Sequence, residues 1–187
     1  MTAQIDDILV LRGRRHSIAG QSSPRLFDPA SLGLQPSAPT TACWRGYQAV
    51  FGLEGNRLIL ETLHVNLDPD AGGTGLPPGP PINGVRPTQT EGEHDWFSHH
   101  YTGVGLPVGY SGGLLVAEGF IRELYIHNGI LPAWKYRHVI ELLFEGGMLV
   151  AEMDRSALMA ETRGRFTDRW AEAAILDHLE SELGRRY

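Results

Sequence analysis

The chain has 187 residues, 42% hydrophobic and 20% charged, the length and make-up of one globular domain that can bury a core without disulfide or metal staples. Its net charge of −6, with 15 of its 16 basic residues Arg, argues against nucleic acid or an anionic membrane surface as partner. A single cysteine, Cys43, excludes an internal disulfide framework and a multi-cysteine zinc site, and the apolar runs at 8–11 and 114–117 fall far short of the roughly 18 residues that cross a bilayer.

In chain order, the N-terminal segment is acidic before it is basic and lacks an apolar stretch of signal-peptide length, so a cytoplasmic location is expected. Residues 5–12 and 14–19 predict a first hairpin around Gly13, and 20–41, with four prolines, reads as irregular. Residues 43–51 and 58–67 predict a second hairpin, because Gly55 and Asn56 between them accept the positive φ of a tight turn. Strict alternation along 58–67 places Ile59, Leu63, Val65 and Leu67 on one face, interrupted by Glu61, and Thr62, His64 and Asn66 on the other.

Residues 68–95 contain six Pro and six Gly and read as a long surface loop without a regular ladder; their acids outnumber Arg86 enough to carry −4 of the net −6. Strand-like segments resume at 114–117 and 120–127, and 138–145 with 148–153 bracket the hairpin signal Gly146-Gly147. From 167 the apolar spacing changes to three to five, which predicts one amphipathic helix over 167–184, capped by Thr167 or Asp168 and packed against the sheet. The expected architecture is a single domain over 1–187, mainly β: an antiparallel β-sandwich or partly open barrel with one C-terminal amphipathic α-helix.

The chemistry-bearing candidates are few. Gly109-Tyr110-Ser111-Gly112-Gly113 fits G-x-S-x-G, with Asp154 or Asp168 and then His178 in hydrolase order. That motif needs a parallel strand before the serine and a helix after it, whereas Pro107 and Gly119 punctuate the flanks, so a glycine-rich turn leading into 114–117 is favoured and no catalytic residue is assigned. His94, His99 and His100 stand near Glu91, Glu93 and Asp95, but consecutive histidines on a strand face opposite ways, and no metal or other cofactor is assigned. Cys43 reads as a small buried hydrophobe. Trp44, Arg45 and Tyr47 form the most unusual constellation. On a regular strand Arg45 shares a face with Tyr47, Ala49 and Phe51, and its guanidinium then requires a carboxylate, with Glu61 the nearest candidate, or carbonyls, or a bound ligand.

Cys43-Trp44-Arg45-Gly46-Tyr47, the hairpin ending in Leu58-Ile59-Leu60, Tyr110-Ser111-Gly112 and Leu143-Phe144-Glu145-Gly146-Gly147-Met148-Leu149-Val150 together resemble a family of small bacterial proteins with no assigned activity. The resemblance spans roughly 5–152 and C-W-R-G-Y is its one sharp motif. Tyr110 stands where that pattern has Phe, and the Pro/Gly insertion and the C-terminal helix are departures from it. The resemblance implies that Ser111 begins an antiparallel strand, and brings no catalytic residue.

Two functional expectations follow. The first is a non-enzymatic protein-interaction module, of the bacterial toxin-neutralising (immunity) kind, in which Glu91, Glu93 and Asp95 steer a basic protein partner and Trp96 and Phe97 supply aromatic anchors. The second is a small-ligand-binding β-domain with Trp44, Arg45 and Tyr47 in its pocket. A Ser111 hydrolase ranks behind both.

Overall fold

The computed structural model describes residues 3–22, 24–67, 78–89, 96–125, 129, 131–166 and 172–187. Among these, nine strands and two α-helices follow in chain order: β1 (Ile8–Leu11), β2 (Arg14–Gln21), β3 (Tyr47–Glu54), β4 (Arg57–Val65), β5 (Thr88–Gln89), β6 (His99–Pro107), β7 (Gly112–Phe120), β8 (Tyr136–Glu145), β9 (Met148–Asp154), α1 (Ser156–Arg165) and α2 (Glu172–Leu183). The fold is mainly β, with a helix at the C-terminus as the sequence predicts.

The sheet closes on itself. Strand order β3-β1-β2-β7-β8-β9-β4 returns to β3 through the β3–β4 hairpin, giving a ring of seven strands, while β6 and then β5 extend from β4. All but one of these pairings are antiparallel; β1 and β3 run parallel and match at only Ile8↔Val50 and Leu9↔Phe51. The ring is equally thin between β9 and β4, where Arg57↔Met148 is the single matched pair.

Alternation then sorts side chains to two compartments. Leu9, Leu11, Ala49, Phe51, Leu58, Leu60, Leu63, Val65, Tyr101, Leu114, Val116, Leu142 and Phe144 fill the inner one. The continuous apolar run 114–117 is buried on both faces, because Leu115 and Ala117 point outward beneath a helical layer. Met159 of α1 and Ile175, Leu179 and Leu183 of α2 cover that outer face, together with Trp134 and Tyr136. A buried carboxylate lies under the same layer: Glu141, 1% exposed, accepts hydrogen bonds from Arg155 Nε (2.8 Å) and the Tyr187 hydroxyl, with Arg185 Nε at 3.6 Å. Two cations and a phenol thus offset the desolvation of one anion and tie the last residues of the chain to β8.

Local physics explains where the structure departs from the sequence reading. A bulge in β4 between Leu60 and Thr62 changes the phase of the strand, so Leu58 and Leu60 precede Leu63 and Val65 on the inner face and Ile59 is displaced from it. Glu61, at the bulge, lies over Gly52, whose missing side chain leaves room for the carboxylate. β6 escapes a propensity reading because Gly103 (φ 70°) and Gly105 (φ 57°) sit within it. Helix α1 escapes an amphipathicity reading because only Met159 and Thr162 are buried along it. The predicted strand at 120–127 stops instead at Phe120 and turns into a 3₁₀ segment, Arg122–Leu124. Part of the Pro/Gly loop is docked: Tyr101 Oη donates to Pro80 O (2.9 Å), Asn83 Nδ2 donates to Val104 O (2.8 Å), and Ile82 is buried.

The Gly146-Gly147 turn is wedged into the barrel wall, with Gly147 N donating to Tyr110 O (2.7 Å) and Gly147 O accepting from Leu58 N (2.8 Å). A Cβ on Gly147 would lie 2.3 Å from Val108 O at φ 85°, whereas one on Gly146 meets nothing within 4 Å. Gly147→Ala is therefore expected to destabilise the fold by about 3 kcal/mol or more, and Gly146→Ala by only about 1 kcal/mol, in urea denaturation.

Candidate functional site

The residues before β1 build the site. Asp7 forms a bidentate ion pair with Arg45, Nη1 to Oδ2 at 2.6 Å and Nη2 to Oδ1 at 3.1 Å, and Oδ1 also accepts from Ala49 N (2.8 Å). Arg45 donates further to Ile5 O (3.1 Å) and stands over the Tyr47 ring at 4.7 Å. Burial works against the charged guanidinium, and the Asp7 carboxylate more than offsets it, so the Arg45 pKa lies above its ordinary value. The expected clasp with a stacked aromatic is present, but its acid is Asp7 and not Glu61. The physical reason is that β3 begins at Tyr47, so Arg45 belongs to the turn before the strand and reaches the N-terminal segment instead.

Asp6 faces a different environment. Burial pushes its carboxyl up to about 6, opposed by hydrogen bonds from Ser17 and Tyr136 and reinforced by the neighbouring Asp7 charge. Tyr136 Oη donates to Oδ2 (3.2 Å), while Oδ1 is buried without a hydrogen-bond partner.

These groups border a cleft of about 390 Å³ that runs from the end of the barrel, where β2 finishes and β3 begins, to the start of α2. Ile5, Ile18, Phe27, Tyr47 and Leu176 give it apolar walls; Asp6, Asp7, Arg25, Arg45, Gln21 and Glu172 give it polar ones, and Tyr187 closes one side. Phe27 and Tyr47 pack edge to face at 6.0 Å, and Tyr47 Oη donates to Phe27 O (3.4 Å), which fixes the aromatic wall. Burial raises the Tyr47 phenol, so it stays neutral. Arg45 is committed to Asp7, whereas Arg25 has no ion pair among the described residues and is exposed at the rim. Trp44 is 52% exposed beside the clasp and does not border the cleft; its backbone N–H donates to Gln4 Oε1. Arg25, Asp6 and Asp7 were missing from the sequence reading. Asp7 and Arg45 are 38 positions apart, and no local pattern joins them.

The other candidates are dispersed. Ser111 precedes β7, which runs antiparallel to both β2 and β8, and its hydroxyl accepts from Gly146 N (2.8 Å), so it stands on a turn and not on a strand-to-helix elbow. Asp154 caps Ser156 N, and His178 on α2 packs against Phe166. Asp168 lies outside the described residues. Cys43 is buried, donates to Tyr47 O, and has its thiol pKa raised by burial.

His99 and His100 do face opposite ways. His99 is fully buried, between Ser98 Oγ (2.8 Å) and Gln89 Nε2 (2.9 Å), while His100 meets His64 across the β4–β6 ladder. Among the described residues no group of three or more His, Cys, Asp or Glu side chains converges on one point. Of the predicted partner-binding residues, Glu91, Glu93 and Asp95 lie outside the described residues, as does His94. Trp96 is 52% exposed, but Phe97 is buried and stacked on His64, so it forms part of the barrel wall and is not an outward anchor.

Comparison of the chain with protein-family models, curated proteins and solved structures yields no match.

The raised Asp6 carboxyl has a definite sign. Folding keeps its proton to about pH 6, above the ordinary 3.8, so its stabilising contribution is full below about pH 4 and is lost as pH rises to about 6. Asp6→Asn mimics the neutral acid. Its stability relative to wild type should rise by about 2 kcal/mol between pH 4 and pH 7, measured by denaturation at each pH.

Proposed function

We propose that the protein is a binding protein for a small amphipathic molecule with an anionic group, held in the cleft between the barrel end and α2. The observation that carries this reading is the cleft itself: about 390 Å³, within the range of small-molecule sites, with aromatic and aliphatic walls and a few converging polar groups. In this reading the Asp7–Arg45 clasp is scaffold, holding Tyr47 and the N-terminal segment as a rigid wall. Arg25 supplies the uncommitted guanidinium for a carboxylate or phosphate oxygen. Phe27, Tyr47 and Leu176 take the apolar body, and Asp6 and Glu172 disfavour a second negative charge deeper in the cleft.

The test is a thermal-shift screen of medium-chain fatty acids, aromatic carboxylates and phosphate monoesters, with hits measured by calorimetry. The expected result is saturable one-to-one binding that Arg25→Ala weakens at least tenfold without lowering the melting temperature of the free protein. No saturating compound in the panel, or equal affinity in Arg25→Ala and for the uncharged analogue, would overturn the reading.

A second reading, a protein-interaction module of the toxin-neutralising kind, is favoured by the half-exposed Trp96 next to the acidic 91–95 segment. Its anchor would be Trp96 without Phe97. It requires a basic partner whose capture is lost on charge reversal of Glu91, Glu93 and Asp95 and in Trp96→Ala.

A further inference from the structure

We propose that His64 and His100 form a binding site for a divalent transition-metal ion that clips β6 to the barrel. This is independent of the cleft. The two residues are directly opposed in the β4–β6 ladder, and their Nδ1 atoms are 2.7 Å apart. At that distance one ring donates its Nδ1 proton to the lone pair of the other, so two ligand atoms already converge on one point. A metal ion at about 2.0–2.1 Å from each nitrogen needs them roughly 3.3 Å apart in tetrahedral geometry, a parting of about 0.6 Å within reach of small χ rotations.

The exchange balances. The donor ring moves its proton from Nδ1 to Nε2 through solvent, both Nδ1 lone pairs become available, and no net proton is released from the neutral pair. Ring orientation is set beforehand: His64 stacks on buried Phe97 (centroids 6.0 Å, 26°) and meets His100 edge-on at 4.9 Å. Both imidazoles are half-buried, and in this proposal water completes the coordination of the ion. Imidazole donors select Zn²⁺, Ni²⁺ or Cu²⁺ over Mg²⁺ and Ca²⁺. Bound there, the ion joins β4 to the strand that carries the docked 78–89 segment.

Titration of the full chain with ZnCl₂, followed by calorimetry and by imidazole ¹⁵N resonances, tests this. The expected result is one-to-one binding that shifts Nδ1 of His64 and His100, leaves their Nε2 protonated, and weakens at least tenfold in His64→Gln and in His100→Gln. His138→Gln, at an exposed position of β8, should stay within twofold. The resonances of the wild-type protein decide the matter even if a variant fails to fold. Absence of saturable binding, or shifts confined to other histidines, would overturn the proposal.

Discussion

The ion pair between Asp7 and Arg45 fastens the junction of β1, β2 and β3 on which closure of the ring depends. In a ring of antiparallel strands, the one parallel contact, β1 against β3, is matched at two positions only. So short a ladder is a poor closure unless its end is fastened. Asp7 fastens it: the same carboxylate takes two guanidinium donors and the N–H of Ala49, and the Asp7 carbonyl accepts from Ile18 N (2.8 Å). One residue therefore joins β1 to β2 and to β3 at once. With Asp7 only 13% exposed, loss of Arg45 would leave a largely desolvated anion, which is why such pairs are costly to break even where they add little net stability.

The same fastening shapes the cleft. Arg45 cannot leave Asp7 without releasing the Tyr47 ring beneath it, and Tyr47 holds Phe27 through its hydroxyl and its edge. Tyr187 also borders the cleft, and Glu141 gathers it together with Arg155 and Arg185, which holds residues 185–187 against β8. Two ionic nodes thus support residues that line a mostly apolar opening. This agrees with the general behaviour of binding sites, in which rigid supports limit the entropy lost when a ligand docks.

Much of the fold was legible in the sequence, and the reason is local. Gly55-Asn56 and Gly146-Gly147 mark their hairpins through positive-φ turn chemistry, and both glycines of the second turn do adopt it. The apolar spacing after 167 marks α2, whose described part is Glu172–Leu183. Closure of the ring was not legible, because it rests on pairings between residues about 40 to 100 positions apart. The inner face of β4 was misread because one bulged residue, Glu61, shifts the alternation. Arg45 was singled out correctly as a cation in need of a carboxylate, yet its partner could not be found: Asp7 lies in a segment with no motif of its own. Arg25 sits in the irregular stretch after β2, where no periodicity marks a functional side chain.

The central claim, that the Asp7–Arg45 pair fastens the parallel seam, is tested most directly by a double-mutant cycle. Denaturation of Asp7→Asn, Arg45→Gln and the double variant should give a coupling energy of about 2 kcal/mol or more, with the double variant little worse than the poorer single one. Additive single losses, with coupling indistinguishable from zero, would contradict the account.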